Sequence, residues 1–344
     1  MPRPKKKMSP TTRPADAPAD GEFGLIARHF QRPGHPTPAQ VALGIGDDCA
    51  LLVPTPGCQM AISSDMLVEG RHFFPDVDPH ALGHKALAVN LSDLAAMGAT
   101  PKGFTLALAL PSAEDAWLSA FASGLFTLAD AHQCPLIGGD TTRGPLNICI
   151  TVFGEVDPAA ALRRHAARPG DDIYVSGSLG QARLALEIRR RTAWACAITP
   201  ESEHSALMQR LDRPEPRVPL GRALGGVAYA ALDLSDGLVG DLTHILQASG
   251  VGADLDWDSL PRASAIERLP EAHQQTCLLH GGDDYELLFT APASERQAVE
   301  HASRVSMTPV HRIGRITDEP RQLRLIDAHG NERAIEGRGY DHFA

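Results

Sequence analysis

The sequence predicts an α/β protein of the α+β type, built as two domains behind a short basic tail. Three observations lead there. The chain has 344 residues, more than a single hydrophobic core usually holds. Strand-like runs follow one another in the first half too often for a regularly alternating parallel sheet. An Ala/Arg-rich stretch bracketed by Asp157-Pro158 and Pro169-Gly170-Asp171 interrupts the pattern, after which strands and helices begin again. The expected division is a disordered tail over 1–20, a first domain over 21–157 and a second over 158–344.

Each element has its own signal. Residues 43–54 and 60–65 read as strands joined by the turn Thr55-Pro56-Gly57. Residues 79–97 read as a helix: Leu82, Ala86, Val89 and Leu94 recur at helical spacing, and Gly98 stops it. Asn90 and Asp93 share one face of that helix. A buried strand is expected over 103–110. Ser112 should then cap a long helix with Glu114 and Asp115 in its first turn. Strands at 134–137 and 147–156 flank Gly138-Gly139-Asp140. The second half reads as strands at 173–176, 228–234, 285–291, 311–316 and 323–327, with helices at 181–191, 238–249 and 294–303. Residues 192–216, polar and Pro-containing, look like a connection.

Composition narrows the function. Hydrophobic content of 43% and a mean hydropathy of −0.15 indicate a soluble globular chain, and no apolar run is long enough to span a bilayer. No secretion signal is visible. The six cysteines form no Cys-x-x-Cys pair and read as reduced thiols of a cytoplasmic protein. Net charge is −10, while the first twenty residues carry five basic side chains against two acidic ones. A body this acidic does not attract nucleic acid or anionic membrane. Polyphosphate would need metal ions between itself and the protein.

The chemistry lies in aspartates inside short Gly/Ser-flanked motifs: Gly44-Ile45-Gly46-Asp47-Asp48, Ser63-Ser64-Asp65, Asn90-Leu91-Ser92-Asp93, Gly138-Gly139-Asp140, Asp233-Leu234-Ser235-Asp236 and Gly281-Gly282-Asp283-Asp284. Most stand where an apolar run hands over to a loop. Two carboxylates 4 Å apart repel by roughly 4 kcal/mol at an effective dielectric of 20. A cluster of them needs cations, hard oxygen ligands select Mg²⁺, and Mg²⁺ usually brings phosphates. Other nucleotide and hydrolase signatures are missing: no P-loop, no third glycine after Gly44-x-Gly46, no His-Glu-x-x-His and no Gly-x-Ser-x-Gly. Metal-assisted chemistry on a phosphate remains.

Taken in order, with Gly21-Glu22-Phe23 at the start and Gly339-Tyr340-Asp341-His342-Phe343 at the end, these motifs resemble the thiamine-monophosphate kinase family over residues 21–344. That family belongs to a superfamily with aminoimidazole ribonucleotide synthetase, selenophosphate synthetase and a hydrogenase-maturation protein. The resemblance implies an aminoimidazole ribonucleotide synthetase-like fold whose first domain pairs its sheet with a second copy in a homodimer. It also implies ATP in the cleft between the domains and direct transfer of a phosphoryl group to thiamine phosphate.

Carried over position by position, the resemblance makes Asp48, Ser63, Asp65, Asp93, Asp140, Asp233 and Asp236 ligands of several Mg²⁺ ions, with Asp47 and Ser64 as lesser candidates. Gly139, Asp140, Arg164 and Ser235 become ATP contacts, and Arg163 leaves the register of Arg164 open. His72 and Asp283 face the acceptor. Asp283 stands where the family usually has Glu. Gly337 stands where the family often has a Trp able to stack on the substrate, which predicts weaker substrate binding. The acceptor oxygen is ionised at neutral pH, so no general base is expected. Cys49 makes an unsuitable nucleophile, because the neighbouring carboxylates disfavour its thiolate. Two alternatives stay open: another ATP-using member of the superfamily, such as the purine-pathway synthetase, and a non-catalytic Mg·ATP sensor.

Overall fold

The structure, a computed structural model, describes residues 21–35 and 38–335. The tail over 1–20, Gly337 and the closing motif at 339–343 lie outside the described residues.

The first half runs α1 (Glu22–His29), β1 (Val41–Leu43), β2 (Leu51–Leu52), β3 (Gln59–Val68), α2 (Pro79–Ala96), β4 (Thr100–Leu110), α3 (Asp115–Ala131), β5 (Leu136–Arg143) and β6 (Asn147–Val156). Strands β3, β6, β4 and β5 form a four-stranded sheet in that order, antiparallel except for the β4–β5 pair. Helices α2 and α3 cover one face. They cross at glycines: a Cβ on Gly83 would lie 2.0 Å from the Phe121 carbonyl oxygen, and one on Gly124 would lie 1.8 Å from that of His80. Backbone meets backbone there, so no side chain fits between them.

The second half runs β7 (Asp172–Ser176), α4 (Gln181–Arg189), α5 (Ala193–Ile198), α6 (Glu201–Asp212), α7 (Val218–Ala223), β8 (Ala230–Asp233), α8 (Leu238–Ser249), β9 (Gly252–Asp256), α9 (Ser264–Glu267), α10 (Glu271–His280), β10 (Leu287–Ala291), α11 (Arg296–Ser306), β11 (Val310–Thr317), β12 (Leu323–Ile326) and β13 (Glu332–Arg333). Seven of these strands form one mostly antiparallel sheet in the order β13-β12-β9-β11-β7-β10-β8. Its central strands are apolar on both faces because both are covered. Ile173, Val175, Leu232 and Leu288 pack with α4, α8 and α10. Tyr174, Ala231, Leu287 and Phe289 pack instead into a core shared with α7, α11 and α2 of the first half.

Several sequence expectations change. The strand expected over 43–54 is two short strands, β1 and β2, around an irregular loop that carries Asp47 and Asp48. Glycines at 44 and 46 and a bend at the acid pair outweigh the apolar pattern. Gly138-Gly139-Asp140 lies inside β5 rather than in a loop beside it. Ser112 does not cap α3: the N-cap position is Glu114, and the Ser112 hydroxyl donates to the Glu114 carboxylate at 3.0 Å. The presumed connection over 192–216 folds into α5 and α6, which pack against α4 through Ala195, Leu207 and Leu211. Six elements, α1, α7, β9, α9, α10 and β13, had no counterpart in the sequence reading.

The largest change concerns α2. It is buried on every side, with Lys85, Asn90 and Ser92 inside along with its leucines, whereas periodicity suggested one apolar face. A helix apolar all round is a core helix, and this one lies between the two halves. Gly124→Ala forces α2 and α3 apart, and the expected loss of stability is on the order of 2 kcal/mol. Urea unfolding of the variant beside the parent measures it, and an unchanged midpoint contradicts the packing described.

Candidate active site

The site is organised by the polar residues of α2. Buried polar groups are costly unless paired, and these pair with three other segments. Lys85 Nζ lies 2.9 Å from the Asp283 carboxylate. Asn90 donates to the Ala86 carbonyl at 3.0 Å, and its Oδ1 accepts the Asp65 N–H at 3.0 Å. The Ser92 hydroxyl donates to Asp233 Oδ2 at 2.7 Å. Asp93 accepts from the Ser63 hydroxyl. One helix thereby joins the middle of β3, the end of β8 and the loop before β10.

This arrangement brings Asp65, Asp93 and Asp233 together. Burial pushes the Asp65 carboxyl up to about 6, with the Asp93 charge adding to the effect. Burial also raises Asp93, against the pull of Ser63 and the Arg164 guanidinium. Asp233 is pushed up to about 7, by burial first and then by Asp93. Tyr285 is half-buried beside the same acids, and its phenol is driven well above its ordinary value, first by desolvation and then by the charges of Asp283, Asp65, Asp233 and Asp93. Lys85, on the same helix, is engaged with Asp283 rather than with Asp93.

Two loops complete this side. Asp233-Leu234-Ser235-Asp236 and Gly281–Glu286 are laced together: the Asp283 N–H donates to the Ser235 carbonyl at 3.0 Å and the Tyr285 N–H to the Leu234 carbonyl at 2.8 Å. The strand ends at Asp233, so Ser235 belongs to the loop rather than to a shared strand face. Asp236 is not the N-cap of α8. Asp241, one turn inside the helix, accepts the Asp236 and Gly237 N–H groups at 3.1 and 3.0 Å, which leaves the Asp236 side chain half-buried at the helix start.

The 157–170 segment borders the acids. The Leu162 N–H donates to the Met97 carbonyl at the end of α2, and the Arg163 carbonyl accepts from Ala231 in β8. Arg163 thus pairs by backbone with the sheet edge, and Arg164 is the arginine whose charge reaches Asp93. His72 stands in the turn after β3, where its Nδ1 accepts the Val68 N–H at 2.9 Å.

Asp47, Asp48, Gly139 and Asp140 form a second group. They line a cleft of about 870 Å³ between α1, the loop over 44–50 and β5, along with Phe23, Phe30, Thr105 and Phe153. Asp47 and Asp48 are exposed, with the Asp48 N–H on Asp47 Oδ1 at 2.8 Å. Gly139 has φ 144, and a Cβ there would lie 1.9 Å from the Leu106 carbonyl oxygen, so only glycine fits. Cys49 lines this cleft and is exposed.

The two groups lie apart within one chain. Strand order puts β3 and β5 at opposite edges of the sheet, three strand spacings or roughly 14 Å from each other. Strand register also puts Asp140 in a row with Ala107, Cys149 and Met66, whereas Asp65 is in the row of the fully buried Ile150, so the two carboxylates leave opposite faces. Ser64 is on the Asp140 face, where its hydroxyl meets Thr151 at 3.0 Å. Among the described residues, no three His, Cys, Asp or Glu side chains surround one point closely enough to hold a metal ion.

Sequence reasoning assigned no role to Ser92, Tyr285 or Asp241 and did not find the partner of Lys85. Lys85 and Ser92 had a readable signal, since each is polar inside an otherwise apolar helix. Tyr285 and Asp241 act through tertiary contacts that no spacing reveals.

Comparison with known proteins gives the family. The family described as AIR synthase related protein, N-terminal domain, matches residues 46–156, and its C-terminal domain counterpart matches 168–325. The chain is 45% identical to the thiamine-monophosphate kinase of Salmonella typhimurium over 95% of its own length and 99% of the relative's. The corresponding figures for the Escherichia coli enzyme are 46%, 95% and 99%. A crystal structure of thiamine-monophosphate kinase from Stenotrophomonas maltophilia superposes with TM-score 0.78 at 48% identity, covering 84% of this chain and 92% of the other. A structure described as AaThiL complexed with AMPPCP and TMP superposes with TM-score 0.72 at 29% identity, covering 85% and 89%. The chain belongs to the thiamine-monophosphate kinase family of AIR synthase related proteins.

Proposed function

We propose that this chain phosphorylates thiamine phosphate at the expense of ATP, giving thiamine diphosphate and ADP. The observation that supports this most is the gathering of Asp65, Asp93 and Asp233 around α2, with Arg164 beside them, in a chain of this family. Such a group of carboxylates with raised pKa values is costly to keep together and marks a functional site.

The reaction is an in-line displacement. An oxygen of the acceptor phosphate forms a bond to the γ-phosphorus of ATP as the bond from that phosphorus to the β,γ-bridging oxygen breaks, and the electron pair leaves with ADP. No proton has to be removed, so no side chain is assigned as base, and no phosphoenzyme forms. The main obstacle is repulsion between two anions. Arg164 contributes a positive charge on the donor phosphates. Ser235 and the backbone at Gly139 hold the nucleotide, while Asp283 and His72 face the acceptor.

The donor set fits Mg²⁺, which takes one or two carboxylates per ion and completes its shell with water and phosphate oxygens. It needs no preformed three-acid cage. Asp65, Asp93, Asp233 and Asp236 would hold such ions on one side, and Asp48 and Asp140 on the other, with Ser63, Ser64 and Asp47 as further oxygen donors. Bound Mg²⁺ supplies neutralisation of the triphosphate and of the acceptor as they approach.

The same reading extends to a second copy of the chain. The sheet face opposite α2 exposes Met60, Ile62 and Met66 at 38%, 62% and 53%, an apolar row that water leaves unsatisfied. Pairing it with another copy covers the row and lets the Asp48/Asp140 group of one protomer join the Asp65/Asp93/Asp233 group of its partner. The functional unit is a homodimer acting on small molecules.

Three measurements test the proposal. ADP release should depend on both thiamine phosphate and Mg²⁺, and Asp93→Asn should lower kcat by at least 10²-fold with the fold intact by circular dichroism. Release driven equally by other acceptors, or by none, contradicts the assignment. Co-expressed Asp93→Asn and Asp140→Asn chains should recover about a quarter of parental activity if sites are shared across a two-fold dimer with random pairing, whereas no recovery places each site within one chain. The third concerns pH. Raised carboxyls favour the folded state below about 4, and that contribution is lost as pH rises through 6 and 7, where Asp65 and Asp233 ionise. Mg²⁺ with an ATP analogue should therefore raise Tm more at pH 8 than at pH 5, and an equal rise at both speaks against cation binding by these acids.

A further inference from the structure

Lys85 has no place in the chemistry described so far, and its surroundings give it one. Its side chain is 3% exposed, deep in α2, and its ammonium lies 2.9 Å from Asp283, whose side chain is 31% exposed. A buried ammonium needs an anionic partner, but many arrangements would supply one. This one reaches across the junction from the first-half helix to the loop before β10 in the second half.

That loop is fixed nearly residue by residue. Gly282 has no room for a Cβ, which would lie 2.4 Å from the Ser235 carbonyl oxygen. The Asp283 and Tyr285 N–H groups donate to Ser235 and Leu234. Asp284 Oδ2 accepts the Gly180 N–H at 2.9 Å. Glu286 accepts from Ser176 at 2.5 Å and from Arg217 at 2.6 and 2.7 Å. Asp283 and Tyr285 are both held at positive φ, 66° and 49°, which non-glycine residues adopt only when their surroundings dictate it. The backbone is thus set, and the remaining freedom at Asp283 is its side-chain torsion. Lys85 is the group that sets it.

We propose that Lys85 is a positioning residue for the acceptor: by holding the Asp283 carboxylate from across the junction, it fixes the anion that meets the cationic ring of thiamine phosphate. This rests on the kinase reading above. The shorter Asp, where the family usually has Glu, makes the fixed position matter more, since a carboxylate with one fewer methylene has less reach to correct a misplacement.

The test is a double-mutant cycle on the full chain, read as separate Michaelis constants. Lys85→Met should raise KM for thiamine phosphate about tenfold or more while KM for ATP and kcat stay within threefold. Asp283→Asn should do the same. The double variant Lys85→Met/Asp283→Asn, which removes both charges of the ion pair, should match Asp283→Asn, because a positioning residue adds nothing once its target is gone. Multiplied effects in the double variant, or KM values for both substrates rising together, overturn the proposal, as does an unchanged acceptor KM. If Lys85→Met does not fold, the double variant against Asp283→Asn still decides the matter. Absence of thiamine-phosphate-dependent ADP release in the parent chain would instead refute the kinase reading itself.

Discussion

The structure depends on a helix that carries polar side chains through a dry interior. Most of α2 is leucine, alanine and valine, and on that ground alone it would be a passive core element. Lys85, Asn90, Ser92 and Asp93 change its role, because a buried polar group is tolerated only with a partner. The partners lie in three segments: the loop before β10, the middle of β3 and the end of β8. Burial of the helix therefore specifies where three distant parts of the chain must lie. Packing and site geometry are two consequences of one constraint.

The same constraint explains why the acids are strained. Asn90, Ser92 and Ser63 bring Asp65, Asp233 and Asp93 close without neutralising them; burial raises all three carboxyls, and the Asp93 charge adds to the rise at Asp65 and Asp233. The one buried lysine nearby serves Asp283, so the cluster lacks an ammonium of its own, and Arg164 reaches it from an exposed segment. On the proposed function, a group assembled in this way takes up cations that arrive with a ligand. The second acidic group, around Asp48 and Asp140, is open and only partly enclosed. Its separation from the first is a matter of strand order, and the uncovered apolar face beside it gives a physical reason for a second copy of the chain.

Much of this was legible in the sequence. Strand ends and helix spans followed from periodicity, so α8 and most of α2 fell where expected, and the chemical motifs stood at the junctions where side chains can converge. What failed failed for identifiable reasons. A glycine-rich loop interrupted the apolar run at 43–54. Gly138-Gly139 looked like a turn yet lies within β5, where the close approach of Leu106 demands glycine. The helices α5 and α6 owe their place to packing against α4, which overrides a polar, Pro-bounded composition. For the site, the sequence offered the acids but not which of them meet. That depends on the order β3-β6-β4-β5, which nothing in local spacing determines.

The central claim is that the buried acids around α2 exist to hold divalent cations against a triphosphate. Anomalous diffraction from crystals grown with Mn²⁺ and a non-hydrolysable ATP analogue tests it most directly. The account predicts Mn²⁺ peaks bridging analogue phosphates to Asp65, Asp93 and Asp233. An analogue bound elsewhere, with these three carboxylates free of metal, would contradict it.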